Sequence, residues 1–200
     1  MRLVALLSLL ASLGYGLHGP SKGTKCNWDG RRTIYEFMYF DIDGEKVHDL
    51  HEMRGKVVLL VNTASKGPQA KEKYLALNEL HHKYEHLGLA VYGFPSNQFG
   101  NEPKDGEEIL HEIELMHGSK AVPFYHMMKR KDLLGDSRHI LFEYCVKHCG
   151  KTEWSSDFEM FIFDKRGRPW GRYPSSLSPL ELAEDIKYLI YHEGGEHDEL

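Results

Sequence analysis

The sequence predicts an α/β domain: a central mixed β-sheet flanked by helices, with a β-hairpin at its N-terminal side. Three observations carry this prediction. Residues 56–64 (KVVLLVNTA) form a continuous Val- and Leu-rich run after Gly55, which suits a strand buried on both faces. That run passes through Ser65-Lys66-Gly67-Pro68 into a stretch with helical spacing of apolar residues. A second apolar run, residues 88–94 (GLAVYGF), follows and completes a β-α-β unit, whose crossover is expected to be right-handed.

Taken in order, residues 17–27 are polar and glycine-rich and are expected to be poorly ordered. Residues 33–41 (TIYEFMYFD) alternate aromatic and polar side chains, the two-residue period of a strand. Asp43-Gly44 is a hairpin turn signal, which makes residues 46–50 the partner strand. Pro68 is expected in the first turn of a helix over 69–86, where its missing N–H costs nothing. Tyr74, Leu77, Leu80, Tyr84 and Leu87 keep that helix's inward spacing. After the second buried strand, residues 95–105 read as a loop and 106–116 as a short helix with Ile109, Ile113 and Met116 inward. Residues 117–137 read as irregular, and 138–148 as a helix ended by Gly150. Residues 157–163 (DFEMFIF) alternate as a strand, turn at 164–167, and pair with 168–173. Residues 178–191 open on a capping box, with Ser178 as N-cap, Pro179 at N1 and Glu181 at N3. No repeat or linker divides the domain, expected over 26–192. A strand leading through a turn into a helix puts the turn at the carboxyl edge of the sheet, where ligands bind in open α/β folds. The expected site is therefore residues 65–69, and that turn contains no cysteine.

The chain has 200 residues and a formal net charge of −5. This length allows one sizeable core, and the charge gives no support to nucleic-acid binding, which needs a basic patch or stripe. Three cysteines are too few for a disulfide framework and leave at least one thiol unpaired or intermolecular. Met1-Arg2, the apolar run 3–13 and Gly14-Tyr15-Gly16 have the charge–apolar–small order of a secretory signal peptide over 1–16, too short to span a bilayer. No later run approaches a membrane span. The acidic segment 193–200 closes on His197-Asp198-Glu199-Leu200, a retrieval signal of the KDEL/HDEL type. The expectation is residence in the endoplasmic reticulum lumen, with the retrieval receptor as one partner; secretion is the alternative.

Cys145 and Cys149 stand four apart on one face of the predicted helix. Three readings remain open for them: core residues, a disulfide involving Cys26 or one of this pair, and metal ligands together with His148 or His139. A bridge needs the helix to end near them, which Gly150 allows. His81, His82 and His86 lie on a charged stretch read as solvated. His82 and His86 have metal-ligand spacing but lack the third and fourth ligands that zinc takes. No metal and no cofactor are expected.

Several stretches resemble the glutathione peroxidase family. Residues 93–103 (GFPSNQFGNEP) are similar to its GFPCNQFGxQEP motif, with one residue fewer before Glu-Pro. Val61-Asn62-Thr63-Ala64-Ser65 resembles VNVAS, Tyr74–Asn78 matches Y-x-x-L-N, and residues 157–161 (DFEMF) resemble the NFEKF that follows a Trp. Cys26, Thr33-Ile34-Tyr35-Glu36 and Ile42-Asp43-Gly44-Glu45 resemble the N-terminal segment of the secreted animal members. The resemblance covers about residues 26–192 and implies a thioredoxin-like fold, in agreement with the element order above. It also implies peroxide reduction by a selenocysteine or cysteine at a helix N-terminus, where the dipole and free N–H groups stabilise the anion. A Gln, a Trp and an Asn surround that residue in the family.

Carried over residue by residue, the nucleophile falls at Gly67, or at Lys66 if the one-residue insertion in this turn is placed differently. The Gln falls at Gln98, the one catalytic position that the resemblance retains. The Trp falls at Ser156, with Trp154 two residues upstream as a partial substitute. The Asn becomes Asp157, whose carboxylate would oppose an anion beside it. The Cys of FPCNQF becomes Ser96. Lys66, Lys71 and Lys73 bring positive charge to the helix start, expected as a solvated basic edge rather than an anion site. Lys66, Pro68, Ser96 and Asn97 are the candidate binding positions. The resemblance and its substitutions imply a pseudoenzyme, a binding module for a secretory-pathway protein engaged through the altered turn and the aromatic hairpin. The alternative is a thiol-dependent peroxidase or oxidoreductase that uses Cys26, Cys145 or Cys149. A recoded selenocysteine near Lys66 is a third reading. The short segment 149–157, where tetrameric members carry a longer loop, favours a monomer.

Overall fold

The computed structural model describes residues 19–150 and 152–192. The expected signal peptide and the acidic tail with its retrieval signal lie outside the described residues.

The sheet is built outward from β4 (Val57–Thr63), all seven residues of which are buried. β4 pairs in parallel with β5 (Leu89–Pro95), Val57 opposite Leu89 and Thr63 opposite Pro95, and antiparallel with β7 (Met160–Phe163). β8 (Pro169–Tyr173) continues antiparallel from β7, and β1 (Thr24–Lys25) from β8. β6 (His126–Met127) extends the other edge in parallel with β5. The described residues thus form a mixed six-stranded sheet in the order β1-β8-β7-β4-β5-β6, beside a two-stranded hairpin of β2 (Met38–Phe40) and β3 (Val47–Asp49).

Because successive strand residues face opposite sides, β4 feeds two cores. Val57, Leu59 and Val61 pack with Tyr74, Leu77 and Leu80 of α1 (Ala70–Tyr84) and Ile186 and Leu189 of α4 (Ala183–His192). Ile109 and Ile113 of α2 (Glu108–His117) join this first core. Val58 and Leu60 pack in the second core with Phe142 and Cys145 of α3 (Ile140–His148), and with Tyr35, Tyr39 and Trp154. Each large side chain so buried contributes about 1.5–3 kcal/mol. Strands buried on both sides are therefore the ones a continuous apolar run reveals.

Several expectations need correction. Residues 33–41 are not one strand. Ile34–Glu36 is a 3-10 turn, and the Glu36 carboxylate accepts from the Thr33 N–H at 2.9 Å, so extended pairing starts only at Met38. Pro68 lies in the turn before α1, whose N-cap is Gln69. Met116 is 48% exposed rather than inward. The strand expected from Asp157 starts at Met160, because Phe158 takes φ +62°, a left-handed conformation that breaks the ladder. The segment 117–137 includes a 3-10 turn, Ser119–Ala121, as well as β6. Residues 24–27 are tied down: β1 pairs with β8, the Cys26 N–H donates to Trp170 O at 3.1 Å, and Cys26 is bridged to Cys149. His81 is buried rather than solvated, and burial holds its imidazole below the usual histidine range.

Candidate functional site

The turn from β4 to α1 takes its shape from a buried carboxylate. Ser65 donates its N–H to Glu102 Oε2 at 2.6 Å and its hydroxyl to Oε1 at 2.8 Å. Glu102 has no exposed surface, and burial pushes its carboxyl up. The Lys66 N–H donates to Asn101 O at 2.9 Å, and His117 Nε2 donates to Ser65 O at 2.7 Å. Gly67 O then accepts from the Ala70 N–H at 2.9 Å and starts the helix.

Facing this turn is the loop before β7, held by Asn62 of β4. The Asn62 side chain donates to Ser156 O at 3.0 Å and accepts from the Glu159 N–H at 2.8 Å, while Asn62 O accepts from the Phe158 N–H at 2.8 Å. The Phe158 ring meets Tyr74 of α1 edge-on, at 5.4 Å between centroids. Between turn and loop lies a cleft of about 350 Å³, walled by Gly67, Pro68, Phe99, Asn101, Ser156 and Asp157 among others. Gly67 leaves part of it open: a β-carbon there would sit 3.5 Å from Phe158 Cε2 and 3.8 Å from Asp157 Oδ2. Asp157 Oδ2 accepts from Asn101 Nδ2 at 2.7 Å. Asp157 Oδ1 is buried without a partner among the described residues. Burial pushes the Asp157 carboxyl above the usual carboxylate range, against the pull of the Asn101 hydrogen bond. The Ser156 and Ser175 hydroxyls bond to each other at 2.8 Å.

The structure brings Gly67, Pro68, Ser156 and Asp157 together, and leaves Gln98, Ser96 and Asn97 out of the cleft lining. Gln98 Oε1 accepts from the N–H groups of Leu133 and Leu134 at 2.5 and 2.6 Å, and its Nε2 donates to Leu134 O at 3.0 Å. It therefore pins the loop before α3. Instead, Asn101 brings an amide into the cleft and donates to Asp157, a position the sequence reading missed. Reading back from Glu102-Pro103, instead of forward from Phe94-Pro95, would have found it. Ser96 is buried at the end of β5, and Asn97 Oδ1 accepts from the Glu102 N–H at 3.0 Å. Trp154 does not substitute at the cleft, since it packs against Phe142 and Phe161 in the second core.

The basic edge is solvated at Lys66 and Lys71, as expected, but not at Lys73. Lys66 pairs with Glu112 at 2.8 Å. Lys73 turns inward and donates to Ser175 O and Leu177 O at 2.5 Å each, and burial lowers its ammonium pKa. The cysteines resolve into a Cys26–Cys149 disulfide and a free, buried Cys145 whose thiol burial pushes up. All three lie in the second core, whereas Phe158 of the cleft lies in the first. His139 and His148 do not join the cysteines as ligands. The Tyr39 hydroxyl donates to His139 Nδ1 at 2.6 Å, and His148 Nδ1 donates to Asn27 O at 2.9 Å.

A family model described as glutathione peroxidase matches residues 34–147. The chain is 32% identical over 166 residues to glutathione peroxidase 1 of Helianthus annuus, covering 80% of this chain and 95% of that protein. It is 32% identical over 165 residues to the chloroplastic phospholipid hydroperoxide glutathione peroxidase 1 of Arabidopsis thaliana, covering 80% and 67%. Among solved structures it is similar to T. cruzi GPX1, with 25% identity, a TM-score of 0.64, and coverage of 80% of this chain and 97% of that one.

Proposed function

Because this chain belongs to the glutathione peroxidase family, with its thioredoxin-like fold, we propose that it is a non-catalytic member working as a binding module. One observation carries this reading: glycine stands in the turn at the start of α1 where the family's nucleophile falls, and Asp157 faces it. An anionic nucleophile there would meet a carboxyl group instead of a neutral donor. The cysteines offer little replacement, because a reactive thiol must be accessible and of lowered pKa, and Cys145 is neither. The binding surface in this reading is the Gly67 cleft and the turn beside it. The partner is a secretory-pathway protein met by a monomer in the endoplasmic reticulum lumen, a compartment supported by the signal-peptide pattern of residues 1–16 and the HDEL sequence of 197–200.

A second reading is favoured by the Cys26–Cys149 bridge. A disulfide is the oxidised product of a thiol peroxidase cycle, and the plant relatives are named as phospholipid hydroperoxide peroxidases. In that reading peroxide is reduced through Cys26 and Cys149, remote from Gly67. Peroxide consumption by the purified protein separates the two, with hydrogen peroxide or a phospholipid hydroperoxide as substrate and glutathione or a protein disulfide isomerase as reductant. The control is the Cys26→Ser, Cys145→Ser, Cys149→Ser triple variant. Equal, background consumption by both proteins is the expected result; turnover lost in the triple variant establishes the second reading.

A further inference from the structure

Asp157 is the one ionisable side chain among the residues lining the Gly67 cleft. None of the lysines at the start of α1 lines the cleft; Lys66 pairs with Glu112, and Lys73 bonds the carbonyls of Ser175 and Leu177. The walls therefore offer no cation to a carboxylate or a phosphate. They do offer oxygen acceptors and apolar surface. Asp157 is 9% exposed, and its Oδ2, which accepts from Asn101, lies 3.8 Å from where a β-carbon on residue 67 would be. Phe158 borders the same space at 3.5 Å, and Phe99 forms part of the wall.

We propose that this cleft binds a primary ammonium group, seated in the space left by Gly67 and paired with the Asp157 carboxylate, with its apolar stem against Phe158 and Phe99. The ammonium comes from a small amine or from a lysine side chain or amino terminus of a protein. This deepens the binding-module reading and rests on it. Oδ2 keeps acceptor capacity beside its single bond from Asn101, and the Ser156 and Ser175 hydroxyls have lone pairs left for a second donor. Tyr74 of α1, whose phenol burial keeps neutral, feels both this carboxyl and that of Glu102 behind the turn. Neither supplies the positive charge that Asp157 lacks. An ammonium stabilises the ionised carboxyl, so affinity rises as the pH climbs out of the carboxylate range.

Isothermal titration of the purified protein tests this at pH 7.5, with n-butylamine, phenethylamine and a lysine-containing peptide as ligands, and with butanol and butyrate as controls. The amines are expected to bind saturably while butanol and butyrate do not. Asp157→Asn is expected to weaken amine binding at least about tenfold, the loss of one charge-assisted contact, and Gly67→Ala to weaken it by filling the seat. Tighter binding of the peptide than of the small amines assigns a protein source, and equal binding a small-molecule source. Absence of saturable binding by every amine overturns the proposal, as does amine binding unchanged in a folded Asp157→Asn protein. If Asp157→Asn fails to fold, unchanged binding in Gly67→Ala overturns it instead. Peroxide turnover on the same preparation keeps the two readings apart. Turnover with amine binding refutes only the non-catalytic reading, and neither turnover nor binding refutes only the ammonium site.

Discussion

At position 67 the limiting element is the neighbour rather than the glycine. A side chain on residue 67 would meet Phe158 and Asp157 at ordinary contact distances, so Gly67→Cys is expected to fold. Its thiol, however, would sit beside a carboxyl that opposes thiolate formation. Gly67→Cys/Asp157→Asn is therefore expected to alkylate at least about tenfold faster at pH 7 than Gly67→Cys alone, because its thiol pKa falls; iodoacetamide rates against pH read this directly. Asp157 alone has a stability signature. Its folded pKa is raised above the unfolded value, so its contribution is fully present below the unfolded pKa and is lost as pH rises through the folded one. Asp157→Asn is expected to stabilise the protein at pH 7 and to leave it unchanged near pH 3, in urea melts at both. Gly67, Ser156 and Asp157 were legible in the sequence because each sits inside an otherwise matching motif. Asn101 was not, because the missing residue before Glu102 falls between the two anchors of its motif and only three-dimensional placement decides which amide reaches the cleft.

Among the elements, the β4–turn–α1 unit is the one the chain cannot lose. Its strand is buried on both faces and its turn is held by Glu102. Leu60→Ala, which opens a hole in the second core, is expected to cost about 2–5 kcal/mol. Met116→Ala on the exposed side of α2 is expected to cost under about 0.5 kcal/mol. Denaturant midpoints of the two variants check the contrast. The same physics explains which elements could be read in advance. A double-faced strand writes a continuous apolar run, and the Ser178 N-cap writes its capping box, with Ser178 N–H donating to Glu181 at 2.7 Å. Residues 33–41 alternate as a strand does, yet Glu36 reaches back to Thr33 and curls the first half into a 3-10 turn. Periodicity carries no trace of that hydrogen bond, nor of the left-handed Phe158 that delays β7.

Across the whole molecule, the sulfur atoms lie on the opposite side of the sheet from Phe158, while Phe99 of the cleft wall packs against their core. One core holds Tyr74, Phe158 and the helices behind the Gly67 turn; the other, across the sheet, holds Cys26, Cys145 and Cys149. The disulfide joins residues 123 apart in sequence and clips β1 to the C-terminal end of α3, beside the Asn27 N–H bond to His148 O at 2.7 Å. Closing so long a loop restricts the unfolded chain, so Cys26→Ser/Cys149→Ser is expected to lower stability by about 2–4 kcal/mol, read from unfolding midpoints. The sequence left core, bridge and metal open for these cysteines, because pairing depends on how the N-terminal segment docks along the sheet edge and no local pattern records that.

Single-turnover reaction of the reduced protein with one equivalent of hydrogen peroxide decides between a binding cleft and a thiol centre. Trp154, buried in the core that holds all three sulfurs, serves as the fluorescent reporter. A non-catalytic chain shows no phase faster than an ordinary free thiol reacts, and on that time scale its trace coincides with that of the triple Ser variant. A fast phase that vanishes with Cys26→Ser or Cys149→Ser would contradict the non-catalytic reading and make the disulfide, rather than the Gly67 cleft, the working centre of the molecule.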